Sequence, residues 1–354
     1  MKIIENELYK EDIKYISDLD LPWEKLKNSS LFISGASGLI GSCLVDSIMQ
    51  HNRDYGLECK IYALGRNRDK IEERFSEYLQ SNLFEFISFD INNKLELDSI
   101  EDIDYVLHLA SNTHPLAYST DPIGTITTNI IGTNNLLQFA KKHNAKRFVF
   151  ASSNEIYGEN RGDEEKFKED YCGYINCNTL RAGYTESKRC GEALCQAYIK
   201  QENMDIVIPR LTRSYGPTML MSDTKAMSQF IKKAISKENI VLKSEGNQFY
   251  SYTYVADAVS GLLTVMLKGV CGEAYNISDE KSDITLKELA NEIAQIAETK
   301  VVFELPSEQE KAGYSKATKA RLDNSKLQQL GWKAKYSISD GVKRTISVLK
   351  SMSD

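Results

Sequence analysis

The sequence predicts an α/β fold, a doubly wound parallel sheet followed by a smaller C-terminal α/β domain, on three observations. From Leu31 onward, short apolar runs alternate with helix-length stretches, the pattern of a parallel sheet covered by helices on both faces. The first of these runs ends in a glycine-rich turn that opens a helical stretch. Beyond about residue 212 the alternation loosens, which marks a change of architecture.

Taken in order, residues 1–28 are polar and charged, with Leu8, Ile13, Ile16 and Leu19 loosely spaced, and read as a short packing helix or arm. Strands are expected at Leu31–Ser34, Lys60–Leu64, Phe84–Phe89, Tyr105–Leu109, Arg147–Ala151 and Ile206–Arg210, each a short apolar run. Between them, 39–51, 68–80, 123–143 and 185–203 have helical length. Further on, 224–236, 255–268, 285–298 and 338–350 read as helices, with strand-like pieces at 239–243, 250–254 and 274–277. The expected division is an arm (1–29), a larger domain (30–211) and a cap (212–354) whose segments can interleave with the larger domain.

Composition excludes several function classes. Lys and Arg number 44 against 50 Asp and Glu, a net charge of −6, and an acidic chain is not expected to bind nucleic acid generally. No apolar run approaches the ~18 residues of a membrane span, so no membrane partner is expected, and the start lacks the apolar core of a signal peptide. The seven cysteines are scattered without a Cys-x-x-Cys pair and read as reduced thiols of a cytoplasmic protein. Four histidines, none at ligand spacing, predict no metal site.

Two motifs point to chemistry. Gly35-Ala-Ser37-Gly38-Leu39-Ile40-Gly41 follows the first strand and opens the first helix. Glycine permits the tight turn and the close backbone approach that a dinucleotide pyrophosphate needs, and the helix N-terminus offers free N–H groups to it. This larger domain is therefore expected to be a Rossmann-type dinucleotide-binding domain. After the second strand stand Arg66 and Arg68 where an NAD site usually carries a carboxylate. A guanidinium pairs with a 2′-phosphate, so NADP(H) is favoured over NAD(H). The second motif, Tyr184-Thr-Glu-Ser-Lys188, sets a phenol and an ammonium one helical turn apart, and the ammonium favours the phenolate that a proton-transfer role requires.

With these motifs in order, the chain resembles the extended short-chain dehydrogenase/reductases, the NAD-dependent epimerase/dehydratase family. The resemblance runs through Gly35-x-x-Gly38-x-x-Gly41, Asp90, His108-Leu109-Ala110-Ser111, Thr128-Asn129, Ser153 to Gly158, Tyr184-x-x-x-Lys188, Tyr215-Gly-Pro217, Tyr254-Val-x-Asp257 and Leu330-Gly-Trp332. The nearest pattern is that of UDP-glucuronate decarboxylases. The resemblance implies that Tyr184 exchanges a proton with a sugar hydroxyl. It implies further that Lys188 binds the nicotinamide ribose, Ser153 bonds the reacting oxygen and Glu155 is a second acid/base group. Asp90, Ile91, Leu109, Ala110, Ser111 and Asn129 are expected around the cofactor, together with the glycine loop. Asn154 stands where dehydratases carry aspartate, which argues against 4,6-dehydration.

Three departures bear on the substrate side. Arg213 replaces the family's asparagine before Tyr-Gly-Pro, Thr218 replaces the decarboxylase arginine after Gly-Pro, and Tyr250 replaces the arginine before Tyr-Val. Asn154, Arg213, Thr218 and Tyr250 are the expected substrate contacts, with Arg213 suited to a phosphate or diphosphate. The expected activity is hydride transfer on a nucleotide-activated or phosphorylated sugar, in surface-polysaccharide synthesis, by a homodimer paired through the 123–143 and 185–203 helices. One alternative is an NADPH-dependent reductase that makes an alcohol or alditol. An alternative of another class is a non-catalytic dinucleotide sensor or scaffold.

Overall fold

The structure, a computed structural model, describes residues 1–97, 100, 103–113, 115–307 and 318–353 of the chain. Seven parallel strands form the main sheet: β1 (Ser30–Ser34), β2 (Lys60–Gly65), β3 (Phe84–Ser88), β4 (Tyr105–His108), β5 (Arg147–Phe150), β7 (Ile206–Leu211) and β11 (Ala274–Ile277). A two-residue segment, β6 (Ser152–Ser153), extends the β5 side along β7. The spatial order β11-β7-β5-β4-β1-β2-β3 is that of a doubly wound sheet, which places a crevice beyond the strand ends where the order reverses at β1 and β4. Every residue of β1 and β4 is buried, as expected of strands covered on both faces.

The helices that cover the sheet are α2 (Leu39–Tyr55), α3 (Arg68–Arg74), α6 (Thr133–Lys142), α7 (Ala182–Glu202) and α9 (Val255–Lys268), with α4 (Pro115–Thr120) and α5 (Pro122–Thr127) leading into α6. Every residue of α9 from Val255 to Leu267 is buried, consistent with a helix apolar on all sides. Its neighbours β7 and β11 lie in the main sheet. Thus the stretch 255–277, read from sequence as cap, completes the larger sheet, because Tyr275 and Ile277 find their apolar partners there.

The long helix expected over 123–143 is interrupted. Between α5 and α6 the backbone widens into a π-helical turn, Thr128–Gly132, a device often found at functional sites. The wider turn directs the buried Asn129 inward, where its amide accepts from the Ser111 hydroxyl (2.8 Å) and donates to Ser187 on α7 (2.9 Å).

The smaller part is built from β8 (Arg213–Tyr215), α8 (Ala226–Ile235), β9 (Ile240–Leu242), β10 (Phe249–Tyr254), β12 (Asp283–Thr285), α10 (Leu286–Ala297), β13 (Val301–Phe303) and β14 (Lys319–Ala320). A last helix, Ile338–Ser353, packs on α8 and β10.

The N-terminal arm is a helix, α1 (Glu7–Ser17), begun by the Asn6 side chain, which accepts from the Leu8 and Tyr9 amides. Its buried Tyr9, Ile13 and Ile16 face α2 and α9. Polar groups lock the same helix to both parts of the molecule. The Tyr9 hydroxyl donates to Asp46 of α2, which Arg74 also holds. Asp12 accepts from the Tyr254 hydroxyl (2.5 Å) and from Arg344 of the last helix (3.0 Å). Tyr15 reaches Asp257 at 3.4 Å, and Asp257 also accepts the backbone N–H groups of Lys335 and Tyr336. Burial raises the Asp257 carboxyl to about 7 against the opposing pull of those two N–H groups.

Candidate active site

Above the strand ends lies a cavity of about 1120 Å³ that runs from the glycine loop to α8 and β9. At one end, Gly35 sits at φ +74°, and a Cβ on it would come within 2.7 Å of the Ala110 nitrogen. A Cβ on Gly41 would lie 2.3 Å from the Gly35 carbonyl. These two positions therefore exclude side chains and let the loop fold tightly over the N-terminus of α2. Ser37, Gly38, Leu39, Ile40 and Gly41 line the cavity beside it, as do Arg66, Asp90, Ile91, Leu109, Ala110 and Ser111. A loop that only glycine can form, with a helix N-terminus behind it, fits a dinucleotide pyrophosphate.

Three expected contacts stand elsewhere. Arg68 is on the exposed side of α3, paired with Glu72 at 2.8 Å and lying 5.1 Å over the Phe86 ring, and it is not in the cavity wall. Asn129 is behind the wall, orienting Ser111. The Thr218 hydroxyl donates to the Leu39 carbonyl at 2.7 Å, so it ties the loop after β8 to the start of α2 instead of facing into the cavity.

The centre of the cavity gathers the remaining residues. β5 and β6 deliver Ser153, Asn154 and Glu155, because the strand ends there in a short 3₁₀ turn capped by the Ser153 hydroxyl. The helix α7 delivers Tyr184 and Lys188 from its first turns. Burial raises the Tyr184 phenol to about 12, opposed by a side-chain hydrogen bond with Ser153. Burial also lowers Lys188 to about 8; its ammonium donates to the Ala151 carbonyl at 2.8 Å and lies over the Phe150 ring. His108 at the end of β4 bonds Ser34 at 2.9 Å, and burial, reinforced by Lys188, holds its imidazole well below the usual value.

Glu155 is the focus of charge. Arg181 donates to its Oε2 at 2.7 Å, and Arg213 lies 3.5 Å from its Oε1. Burial would raise this carboxyl, but Arg181 and then Arg213 outweigh it, and its pKa falls below the usual value. Each guanidinium rests on an aromatic ring: Arg181 on Tyr118 at 4.7 Å and Arg213 on Tyr250 at 3.5 Å. Arg181 Nε and Nη1 and Arg213 Nη1 are buried without a partner among the described residues. Unsatisfied buried donors of this kind are costly, and both arginines belong to the wall of the cavity.

Sequence reasoning gave no role to Arg181 and did not single out Tyr118. Arg181 precedes Tyr184 by three residues, a spacing that puts both on one helix face and so was available as a signal. For Tyr118 the local sequence holds none.

The comparisons agree with this architecture. The family model for the NAD dependent epimerase/dehydratase family matches residues 31–278. The chain is 32% identical over 321 residues to UDP-glucuronic acid decarboxylase 3 of Arabidopsis thaliana, covering 89% of this chain and 87% of the relative. It is 29% identical to UDP-glucuronic acid decarboxylase 1 of Danio rerio, over 94% of this chain and 74% of the relative. Among solved structures, UDP-glucuronic acid 4-epimerase of Bacillus cereus, in complex with UDP-glucuronic acid and NAD, superposes with a TM-score of 0.77 at 23% identity, over 91% of this chain and 99% of that one. The dTDP-glucose 4,6-dehydratase of Bacillus anthracis, in complex with NAD, superposes at 0.76 with 20% identity, over 91% and 97%.

Proposed function

The chain belongs to the NAD-dependent epimerase/dehydratase family, and from that premise we propose that it transfers hydride at a carbon of a nucleotide-activated, acidic sugar, with Tyr184 as acid/base. The observation that carries this reading is the pair of arginines on Glu155, which line the same cavity as Ser153, Tyr184 and Lys188 and keep buried donors without a partner among the described residues. Guanidinium groups bind carboxylate and phosphate oxygens in bidentate fashion, and the 29–32% identical relatives are named for UDP-glucuronic acid.

Within that reading each residue has a task. A bound nicotinamide dinucleotide supplies a hydride acceptor and, oxidised, a positive ring. The Lys188 ammonium, one helical turn from Tyr184, would favour its phenolate against the rise that burial imposes. Ser153, in the wall of the same cavity as the phenol, aligns the sugar hydroxyl whose proton Tyr184 takes. Glu155, kept ionised by Arg181 and Arg213, serves as a second base near the neighbouring carbons. Asn154 has no proton to deliver, so the reading favours epimerisation or decarboxylation over 4,6-dehydration, with the hydride returned to the same substrate.

The second reading is a net NADPH-dependent reductase of a keto-sugar. Arg66 favours it: the side chain is exposed at the cavity wall after β2, where it can meet a 2′-phosphate. The product's use in surface-polysaccharide synthesis, and the cytoplasm as its place, belong to the same proposal. No helix among the described residues is long and apolar enough to cross a membrane. Pairing of two copies through the α5–α7 face is supported by the exposed Ile123 and Ile131, whereas Leu137 is buried in its own core.

The test incubates the purified protein with NAD or NADPH and UDP-glucuronate, following carbon dioxide, the UDP-sugar products and net NADPH. Product without net NADPH consumption supports the first reading, and one equivalent consumed per turnover with a keto-sugar supports the second. Cofactor binding without turnover, across UDP-, dTDP- and GDP-sugars and free sugar phosphates, supports the sensor instead.

A further inference from the structure

We propose that Tyr118 is a positioning residue for Tyr184, an aromatic spacer that fixes the distance between the acid/base phenol and the Arg181–Glu155 ion pair. The inference rests on the reading of Tyr184 as the acid/base group.

α4 brings the Tyr118 ring to 5.0 Å from the Tyr184 ring, with the planes 30° apart. The same ring carries the Arg181 guanidinium, whose central carbon is 4.7 Å from its centroid. Tyr118 therefore touches both the phenol that moves a proton and the cation that holds Glu155 at 2.7 Å. It is buried and lines the cavity. Burial, with the neighbouring phenol of Tyr184, keeps the Tyr118 hydroxyl well above its ordinary value, so this side chain stays neutral and does not compete as a base.

The spacing matters because the two charges of the ion pair act on Tyr184 in opposite senses. Glu155 raises the phenol and Arg181 lowers it, and a Coulomb interaction changes steeply over the first few ångströms. A rigid ring in contact with both Tyr184 and Arg181 holds that balance constant while substrate enters. Contact of an aromatic ring with another ring and with a cation has preferred geometries, which gives the spacer a defined thickness. An aliphatic side chain in its place leaves Arg181 without its platform and Tyr184 free to tilt.

The experiment uses the enzyme loaded with NAD and reads the ionisation of Tyr184 from the ultraviolet difference spectrum against Tyr184→Phe, in the wild-type, Tyr118→Phe and Tyr118→Leu backgrounds. No substrate is needed. Tyr118→Leu should move the midpoint by on the order of half a pH unit or more, with NAD affinity within about twofold, and Tyr118→Phe should restore it. Turnover of UDP-glucuronate should fall about tenfold or more in Tyr118→Leu through misplacement of the reacting groups and recover in Tyr118→Phe. An unmoved midpoint in Tyr118→Leu, or a Tyr118→Phe variant as defective as Tyr118→Leu, overturns the proposal. Full turnover in Tyr184→Phe itself overturns the acid/base reading instead, and so separates the two failures.

Discussion

Arg213 and Glu155 approach within 3.5 Å across the cavity, one from β8 and the other from the turn after β6, while Arg181 holds the second carboxylate oxygen. The contact joins the smaller part of the molecule to the main sheet in the wall of the cavity. Glu155→Gln removes the charge that two guanidinium groups share. Leaving charged donors unpaired costs about 1–3 kcal/mol, so the variant should melt at a lower temperature. Inorganic phosphate should recover more of that loss in the variant than it adds to the wild type. In assays, a reaction with an elimination or decarboxylation step should be strongly impaired, whereas plain ketone reduction should persist. A melting curve unchanged with and without phosphate would remove Arg181 and Arg213 from any anion-binding role.

Tyr184→Phe should lower turnover by ~10²-fold or more, the usual contribution of a general acid/base, with cofactor affinity nearly unchanged. Lys188→Met should weaken both if, as proposed, the ammonium acts on the phenol and on the ribose. Steady-state kinetics and cofactor titration together check the contrast.

The two arginines after β2 should behave differently. Arg66→Ala should erase most of an NADP(H) preference, worth roughly 10- to 150-fold if a charge-assisted contact contributes about 1.5–3 kcal/mol. Arg68→Ala should leave cofactor choice alone, since its partners are Glu72 and the Phe86 ring. The wild-type preference should shrink as salt is raised. Fluorescence titration with NADH and NADPH decides it; equal affinity in the wild type sinks the phosphate contact at Arg66.

Asp257 links stability to pH. Its carboxyl is raised from 3.8 to about 7 by burial, so the folded chain binds a proton more tightly than the unfolded one. The favourable contribution is fully present below the unfolded value and is lost as pH rises through about 7. Relative to Asp257→Asn, the wild type should therefore lose stability between about pH 4 and 7, at about 1.4 kcal/mol for each pH unit crossed. Chemical denaturation of both proteins across that range is the measurement; parallel curves would count against it.

Much of this molecule was legible in the sequence. Each strand of the main sheet is an apolar run, and the glycine loop and Tyr184–Lys188 pair lie in regular elements with fixed spacing, so local pattern was enough. Contacts made over long separations were not. The segment Ala274–Ile277 looks like any short strand, and only its pairing with Ile208–Leu211 puts it in the main sheet. Glu155 and Arg181 lie 26 residues apart, and their pairing depends on how the chain between them returns to the sheet. Arg68 carried its own warning, since Glu72 four residues on offers the usual helical partner. The belt of Tyr9, Asp12, Tyr15, Asp46 and Arg74 left no local trace, because its members come from α1, α2 and α3.

The arm's partners also set an order for synthesis. Asp12 waits for Tyr254, 242 residues later, and for Arg344, 332 residues later. While the chain is still emerging from the ribosome, α1 can dock on α2, but the ion pairs of Glu11 and Asp12 wait until Arg344 has left the exit tunnel. The final lock is therefore vectorial: α1 is fully held only after the helix that carries Arg344 has been made. Release of a prematurely ended chain leaves Asp12 with the Tyr254 hydroxyl as donor but without the guanidinium that balances its charge.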